Sequence, residues 1–271
     1  MSEEKKTVYD PITRQRLAET LRKIGVRSDQ IIEVHARLSS FDWLIGGAQT
    51  IVDTLMEIAG ETGTIMMPMH HIGNSEPSDW ENPPVAPSLY RLVRDAIPPY
   101  NPDINDITGM GDVAENFRRR PGVLISHHPE VSYAAWGRYA KLLCNHQSYH
   151  FPLAEESPAA RLYEMKGNVL LIGCDFDTAT CLHLAEYKTD SRMISIHGSS
   201  MPTENGREWR KYLDLEVDSS AFMKVKTIMQ RKNMINEVTL GGSLIQYFSA
   251  SEAIDEAIDY FEKSTVYELY R

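Results

Sequence analysis

An α/β fold is what this sequence predicts, as one domain over residues 1–271 with a β/α elaboration toward its C-terminus. Two observations predict it. Short apolar runs at 31–35, 64–67, 169–172 and 244–248 alternate with segments of helical spacing. No internal repeat or clear linker divides the chain, and its 14 prolines and 16 glycines form no low-complexity tract.

Residues 13–24 place Leu17, Leu21 and Ile24 at helical spacing, with Thr13 as N-cap and Gly25 as stop. Residues 31–35 read as a strand. Gly46 and Gly47 open a helix with an apolar stripe at Ile51, Leu55 and Ile58, ended by Gly60. Residues 64–67 form a second strand, stopped by Pro68. This order is a βαβ unit, with a loop expected at the carboxyl end of its first strand. Residues 69–87 hold four prolines and Trp80 without periodicity, the pattern of a functional or mobile loop. Helices are expected at 88–96 and 113–119, and a short strand at 133–136. Ser157 caps a helix that Pro158 opens and that runs to Met165. The 169–172 strand and the segment around His183 follow. Beyond Ile194 the chain alternates in β fashion (Trp209, Tyr212, Leu213, Leu215, Val217). A helix at 220–230, a strand at 244–248 and an amphipathic helix at 250–261 complete it.

Apolar residues make up 42% and charged residues 24% of the 271, ordinary for a globular protein. No apolar run approaches the roughly 20 residues of a membrane helix. The first six residues lack a signal-peptide core, so a cytoplasmic location is expected. Cys144, Cys174 and Cys181 form neither an even framework nor a Cys-x-x-Cys pair and read as reduced thiols. A net charge of −10 argues against nucleic acid as partner and is compatible with a cationic small molecule.

The most informative stretch is 180–186, entered from the 169–172 strand. It sets His183 and Glu186 three residues apart, on one face if the segment is helical. A carboxylate beside an imidazole raises its basicity and fixes its orientation, as a proton acceptor requires. A histidine that simply packs is the alternative. The second Glu-x-x-His of a carboxylate-bridged metal site is absent. Cys181 invites a nucleophile reading, but positions i and i+2 of a helix do not face each other, so a structural thiol is favoured. Residues 34–47 join a strand to a helix, with Arg37, Ser39 and Ser40 available to an anion. They match neither a Walker loop nor a dinucleotide fingerprint, and an ordinary turn fits equally well. Thr108, Gly109, Met110 and Gly111 form a second turn where backbone could approach a ligand. Ser126, His127, His128 and Pro129 could suggest a metal, but no further ligand stands nearby; extended structure before proline is favoured and no metal is expected. Residues 22–27 approach an acetyl-CoA loop pattern but end in arginine and precede a strand, so the match is accidental.

Taken in order, a dozen such segments resemble the aminoglycoside 3-N-acetyltransferase family. They include Val34 and His35 with Leu38, Ser39 and Ser40; Gly46 and Gly47; Gly63 and Thr64 with Met67 and Pro68; Glu76 and Pro77 with Trp80; and Pro83 and Pro84. They continue through Gly109, Met110 and Gly111; Glu115, Phe117 and Arg118; Ser126, His128 and Pro129; Ser132, Ala135, Trp136 and Gly137; Ser157 and Pro158; 170–173; and Thr180, His183 and Glu186. The similarity covers nearly the whole chain and is closest to short bacillus-type members.

The resemblance implies a three-layer α/β/α fold with a mixed sheet, distinct from the common acetyltransferase superfamily. It implies acetyl-CoA as donor and the 3-amino group of a 2-deoxystreptamine aminoglycoside as acceptor, hence a role in antibiotic resistance. It makes His183 the general base of a direct transfer, with Glu186 in its motif. His35, Ala36, Arg37, Leu38, Ser39 and Ser40, with Gly109, Met110 and Gly111, fall where the family holds CoA. Glu76, Asp79 and Trp80 fall where the cationic amine would be gripped. A homodimer is allowed; nucleic-acid and membrane partners are not expected. Four positions depart from the family pattern: Ala36 and Arg37 replace a hydroxyl pair, Asp42 a glycine, and Ile125 an arginine. Arg37 is placed to restore the anion contacts that the hydroxyls supplied, whereas Asp42 must point away from a pyrophosphate. Two alternatives remain open: acetylation of a different amine, such as an amino sugar or small metabolite, and a CoA-binding protein of this fold without aminoglycoside activity.

Overall fold

The computed structural model describes residues 10–107 and 109–263, so Thr108 of the expected turn lies outside the described residues. The strands are β1 (Ile31–Ala36), β2 (Thr64–His70), β3 (Leu124–Ile125), β4 (Val131–Gly137), β5 (Asn168–Ile172), β6 (Ile194–Thr203), β7 (Gly206–Leu215), β8 (Asn236–Leu240) and β9 (Ser243–Ser249). Seven form one sheet in the order β3-β4-β2-β1-β5-β9-β8, while β6 and β7 form a separate hairpin. β1 runs parallel to both β2 and β5, and the other neighbours are antiparallel, so the sheet is mixed as expected.

Side chains of a strand alternate between the two faces of its sheet, and here each face builds its own core. Ile32, Val34, Ile65, Met67, Leu170 and Ile172 meet the helices Arg14–Ile24, Gly47–Ala59 and Gly111–Arg118. Ile31, Met66, Val169 and Leu171 meet the helices Pro158–Glu164, Phe222–Arg231 and Ala250–Phe261. The result is the three-layer α/β/α arrangement. Each fully buried aliphatic or aromatic side chain contributes about 1.5–3 kcal/mol to it.

Local chemistry sets several boundaries. The Thr13 hydroxyl accepts the Arg16 N–H at 3.2 Å, and Gly25 ends that helix at φ 118°. The Ser157 hydroxyl accepts the Ala160 N–H at 3.0 Å, with Pro158 opening the helix. At the end of β5, Gly173 turns at φ 63°, and a Cβ there would sit 1.8 Å from Ser40 Oγ. Only glycine lets the chain pass so close to the loop after β1.

One expected boundary is corrected. Pro68 does not stop β2, which continues to His70. Pairing with β1 ends at Met66, while pairing with β4 runs from Thr64 through Pro68 to His70. The proline therefore lies where β2 no longer needs an N–H toward β1. Strand β8, unforeseen, is an edge strand with Asn236, Glu237 and Thr239 exposed, so its apolar signal reduces to Val238 and Leu240.

The hairpin is tied to the sheet and to the His183 segment by tyrosines. Tyr212 on β7 donates its hydroxyl to Glu130, just before β4, and Tyr187 donates to Asp214 at 2.6 Å. Burial pushes the Glu130 carboxyl from its ordinary 4.5 up to about 7; the Tyr212 hydrogen bond and His197 oppose the rise, and the charges of Asp214 and Asp79 add to it. The folded state therefore holds this proton more tightly than the unfolded one. That contribution is fully present below pH 4.5 and is lost as pH rises through 7. Glu130→Gln keeps an acceptor for Tyr212 and is expected to stabilise the fold at pH 8, by on the order of 2–3 kcal/mol at most, with little gain at pH 4. Urea unfolding at the two pH values checks it.

Candidate active site

Strand β1 lies between two parallel neighbours, so the carboxyl ends of β1, β2 and β5 open on the same side. A crevice at such a point is where open α/β sheets bind ligands. Here it is a cavity of about 380 Å³. His35, Ala36 and Arg37 line it from the end of β1, and Met67, Pro68 and His70 from β2. Gly109, Met110 and Gly111 close a third side, leading into the helix Gly111–Arg118, and Cys174, Asp177, Thr178, Thr180 and His183 follow from β5.

His183 ends the 3₁₀ turn Thr180–His183, and Glu186 lies in the single helical turn Leu184–Tyr187 that continues it. The three-residue spacing brings His183 Nδ1 to 2.5 Å from Glu186 Oε2, with the carboxylate fully buried and the imidazole 14% exposed. A ring nitrogen this close to a carboxylate oxygen carries the proton, since two lone pairs would repel. Nε2 is then the unprotonated nitrogen. The other oxygen of Glu186 accepts the Arg192 guanidinium and, at 3.0 Å, the Asp218 N–H. Arg192 thus supplies the counter-charge for the buried carboxylate. The ring packs edge-on against Phe222, with centroids 4.8 Å apart.

A second imidazole–carboxylate pair faces the same cleft and was not foreseen. Glu33 is fully buried in β1 and lies 2.7 Å from His35 Nε2. Its Oε1 also accepts the Cys181 N–H at 3.1 Å, which pins the His183 turn to the sheet. A carboxylate inside the apolar run Ile31, Ile32, Glu33, Val34 is itself a sequence signal, because such a residue is rarely buried without partners. Burial, and then Glu33 beside it, push the Cys181 thiol well above its ordinary range. That keeps the thiol protonated and removes its claim as a nucleophile. Arg192 had no sequence signal, because its role depends on how the 187–192 turn folds back.

The structure brings together part of the expected site. His35, Ala36, Arg37, Gly109, Met110, Gly111 and His183 share the cleft, with Glu186 directly behind His183. Leu38, Ser39 and Ser40 form a 3₁₀ turn beside it; Leu38 packs on the core and Ser40 donates its hydroxyl to the Arg37 carbonyl at 2.7 Å. Glu76, Asp79 and Trp80 stand apart from the cleft lining. The Glu76 carboxylate is buried against the Arg94 guanidinium, Asp79 lies 3.7 Å from His197, and Trp80 donates to Ser75 at 2.9 Å. Of the paired histidines, His128 is buried and accepts the Val131 N–H at 3.1 Å. Among the described residues no group of His, Cys, Asp or Glu is arranged to hold a metal, and no helix is long and apolar enough to cross a membrane.

Comparisons with known proteins place the chain in a family and match its fold. Residues 34–262 match the aminoglycoside 3-N-acetyltransferase family. The chain is 35% identical, over 93% of its length and 93% of the relative's, to the SPbeta prophage-derived aminoglycoside N(3')-acetyltransferase-like protein YokD of Bacillus subtilis (strain 168). The crystal structure of YokD superposes with a TM-score of 0.89, covering 93% of this chain and 94% of that one. Aminoglycoside N(3)-acetyltransferase IX of Micromonospora chalcea is 32% identical over 78% of this chain and 75% of its own. A solved structure described as AAC-IIIb binary with CoASH is 25% identical, with a TM-score of 0.81 over 94% of this chain and 97% of that one.

Proposed function

The chain belongs to the aminoglycoside 3-N-acetyltransferase family, and from that premise we propose that it moves the acetyl group of acetyl-CoA directly to the 3-amino group of a 2-deoxystreptamine aminoglycoside, with His183 as general base. The observation that carries this reading is the short His183–Glu186 contact beside the cleft, which leaves Nε2 as the proton acceptor. An amine is mostly protonated at neutral pH and must shed a proton to attack the thioester. Nε2 takes that proton, a contribution of roughly 10²–10⁴ in rate. Holding amine and thioester together supplies much of the rest. Arg37 and the turn at Gly109, Met110 and Gly111 hold the donor's pyrophosphate and pantetheine. Arg37→Ala is expected to weaken acetyl-CoA binding by roughly tenfold, the worth of a charge-assisted hydrogen bond, as read by calorimetric titration.

A second acceptor class, another primary amine on a sugar or small metabolite, is favoured by one observation. Glu76 is already neutralised by Arg94, and neither Asp79 nor Trp80 lines the cleft, which weakens the grip on a polycation. Release of CoA thiol with acetyl-CoA and a panel of gentamicin, sisomicin, glucosamine and simple diamines decides between the two. Turnover of gentamicin or sisomicin supports the first reading, and turnover confined to the other amines selects the second. Binding of acetyl-CoA without turnover of any amine points to a non-catalytic CoA-binding protein.

A further inference from the structure

His70 is a half-buried titratable group, its Nε2 enclosed, with no task in the mechanism above. It ends β2, opposite Val131 of β4, and exists as a strand residue only because β2 continues past Pro68. Along β2, positions 66, 68 and 70 share a face, and along β1 positions 31, 33 and 35 do. Met66 and Ile31 lie in the same core layer as Cys181 and Leu182, so this is the face that meets the His183 turn. Pro68, His70, His35 and His183 accordingly converge on one cleft. His35 and His183 each have a carboxylate partner, but His70 Nε2 is buried without a hydrogen-bond partner. A buried polar nitrogen left unpaired is destabilising, and such a group beside a cleft calls for a partner that the cleft receives.

We propose that His70 is a further catalytic residue of the acetyl transfer, its Nε2–H donating a hydrogen bond to the acetyl oxygen as that oxygen becomes an oxyanion. The inference rests on the acetyl-transfer reading given above. The amine lone pair forms the C–N bond while the C=O π pair moves onto oxygen, where His70 meets it. That pair then returns as the C–S bond breaks: of the two protons that the ammonium loses in becoming an amide, one resides on His183 Nε2 and the other passes to the leaving sulfur, so CoA departs as the thiol. The division of labour suits the two rings. His183 has a carboxylate to orient and stabilise it when it takes a proton; His70 has none. Burial first, and then the neighbouring histidines when charged, hold the His70 imidazole down to about 3, so it stays neutral through the working range and acts as a donor only. A donor fixed in a water-excluded wall is worth roughly 10²–10³ in kcat.

The test combines His70→Leu, His70→Gln and His183→Ala with two readouts. The first is the infrared carbonyl band of bound [1-13C]acetyl-CoA, which needs no acceptor amine. Wild type and His183→Ala are expected to show the band shifted to lower frequency, and His70→Leu to lose that shift. His70→Gln, whose amide N–H has similar reach, is expected to recover it. The second readout is kcat with the best amine of the panel. His70→Leu should lower it about 10²–10³-fold with the KM for acetyl-CoA within about twofold, and the pH midpoint of kcat/KM should stay in place because the base is untouched. His70→Gln should return to within about tenfold of wild type. A carbonyl band identical in wild type and His70→Leu overturns the inference and leaves the His183 reading standing. A moved pH midpoint in His70→Leu also overturns it, showing that His70 acts only on His183. Absence of any bound-donor band in wild type overturns the acetyl-CoA reading and the inference with it. Should His70→Leu fail to fold, His70→Asn, whose amide falls short of the same position, is read in its place.

Discussion

His183→Ala is expected to lower kcat for acetyl transfer by roughly 10²–10⁴, the usual contribution of a positioned general base, while acetyl-CoA still binds. Removing the imidazole leaves Arg37 and the turn at Gly109, Met110 and Gly111 in place, so the donor's anchoring contacts survive. A loss of stability of about 1–3 kcal/mol is expected, because the ring is only 14% exposed and its removal leaves Glu186 Oε2 unpaired, while Oε1 keeps Arg192 and the Asp218 N–H. Thiol-release kinetics and calorimetric titration on the same variant separate the two quantities. Turnover at the wild-type rate would remove the base from His183 and leave the second pair, His35 with Glu33, as its successor.

The Glu186 variants carry the other large effect, and they divide stability from chemistry. Glu186→Ala deletes a fully buried carboxylate and strands the Arg192 guanidinium, whose side chain is 18% exposed, leaving Asp218 and the Phe261 ring near it. Breaking a buried pair from one side costs about 3–5 kcal/mol. Glu186→Gln keeps the volume and an acceptor for Arg192, so its stability loss should be smaller. Its amide can, however, donate to His183 Nδ1, which would move the ring proton to Nε2 and occupy the nitrogen that must accept. By analogy with the loss of an orienting carboxylate in serine proteases, kcat is expected to fall by about 10³–10⁴ with the fold intact. Denaturant melts together with kcat decide the matter: a Gln variant with normal kcat would show that tautomer control is not what Glu186 supplies.

Much of the scaffold is legible in the sequence. The helix at 14–24 with its Thr13 cap, the Ser157 cap and the final helix Ala250–Phe261 depend on spacing and capping within a few residues. The continuation of β2 through Pro68 was not legible, because a proline's tolerance depends on which neighbour strand has already ended. The site divides along the same line. His183 and Glu186 stand three residues apart on one turn, so their contact could be anticipated. Glu76 was expected to meet substrate, and its pairing with Arg94, eighteen residues on, could be seen only once the intervening loop had folded. Glu33 did leave a trace, a lone charge in an apolar run, but its link to Cys181 spans 148 residues.

By itself the sequence determined most of the strands and helices, several of their caps, and the histidine–glutamate turn, because each is decided by dihedral preference and side-chain reach over one or two turns of chain. Only the tertiary structure decided that the ends of β1, β2 and β5 meet, that His35, His70 and His183 converge on one cleft, and that Arg192 neutralises Glu186. These arrangements follow from strand register and from balancing buried charge, and both are settled between residues far apart in the chain.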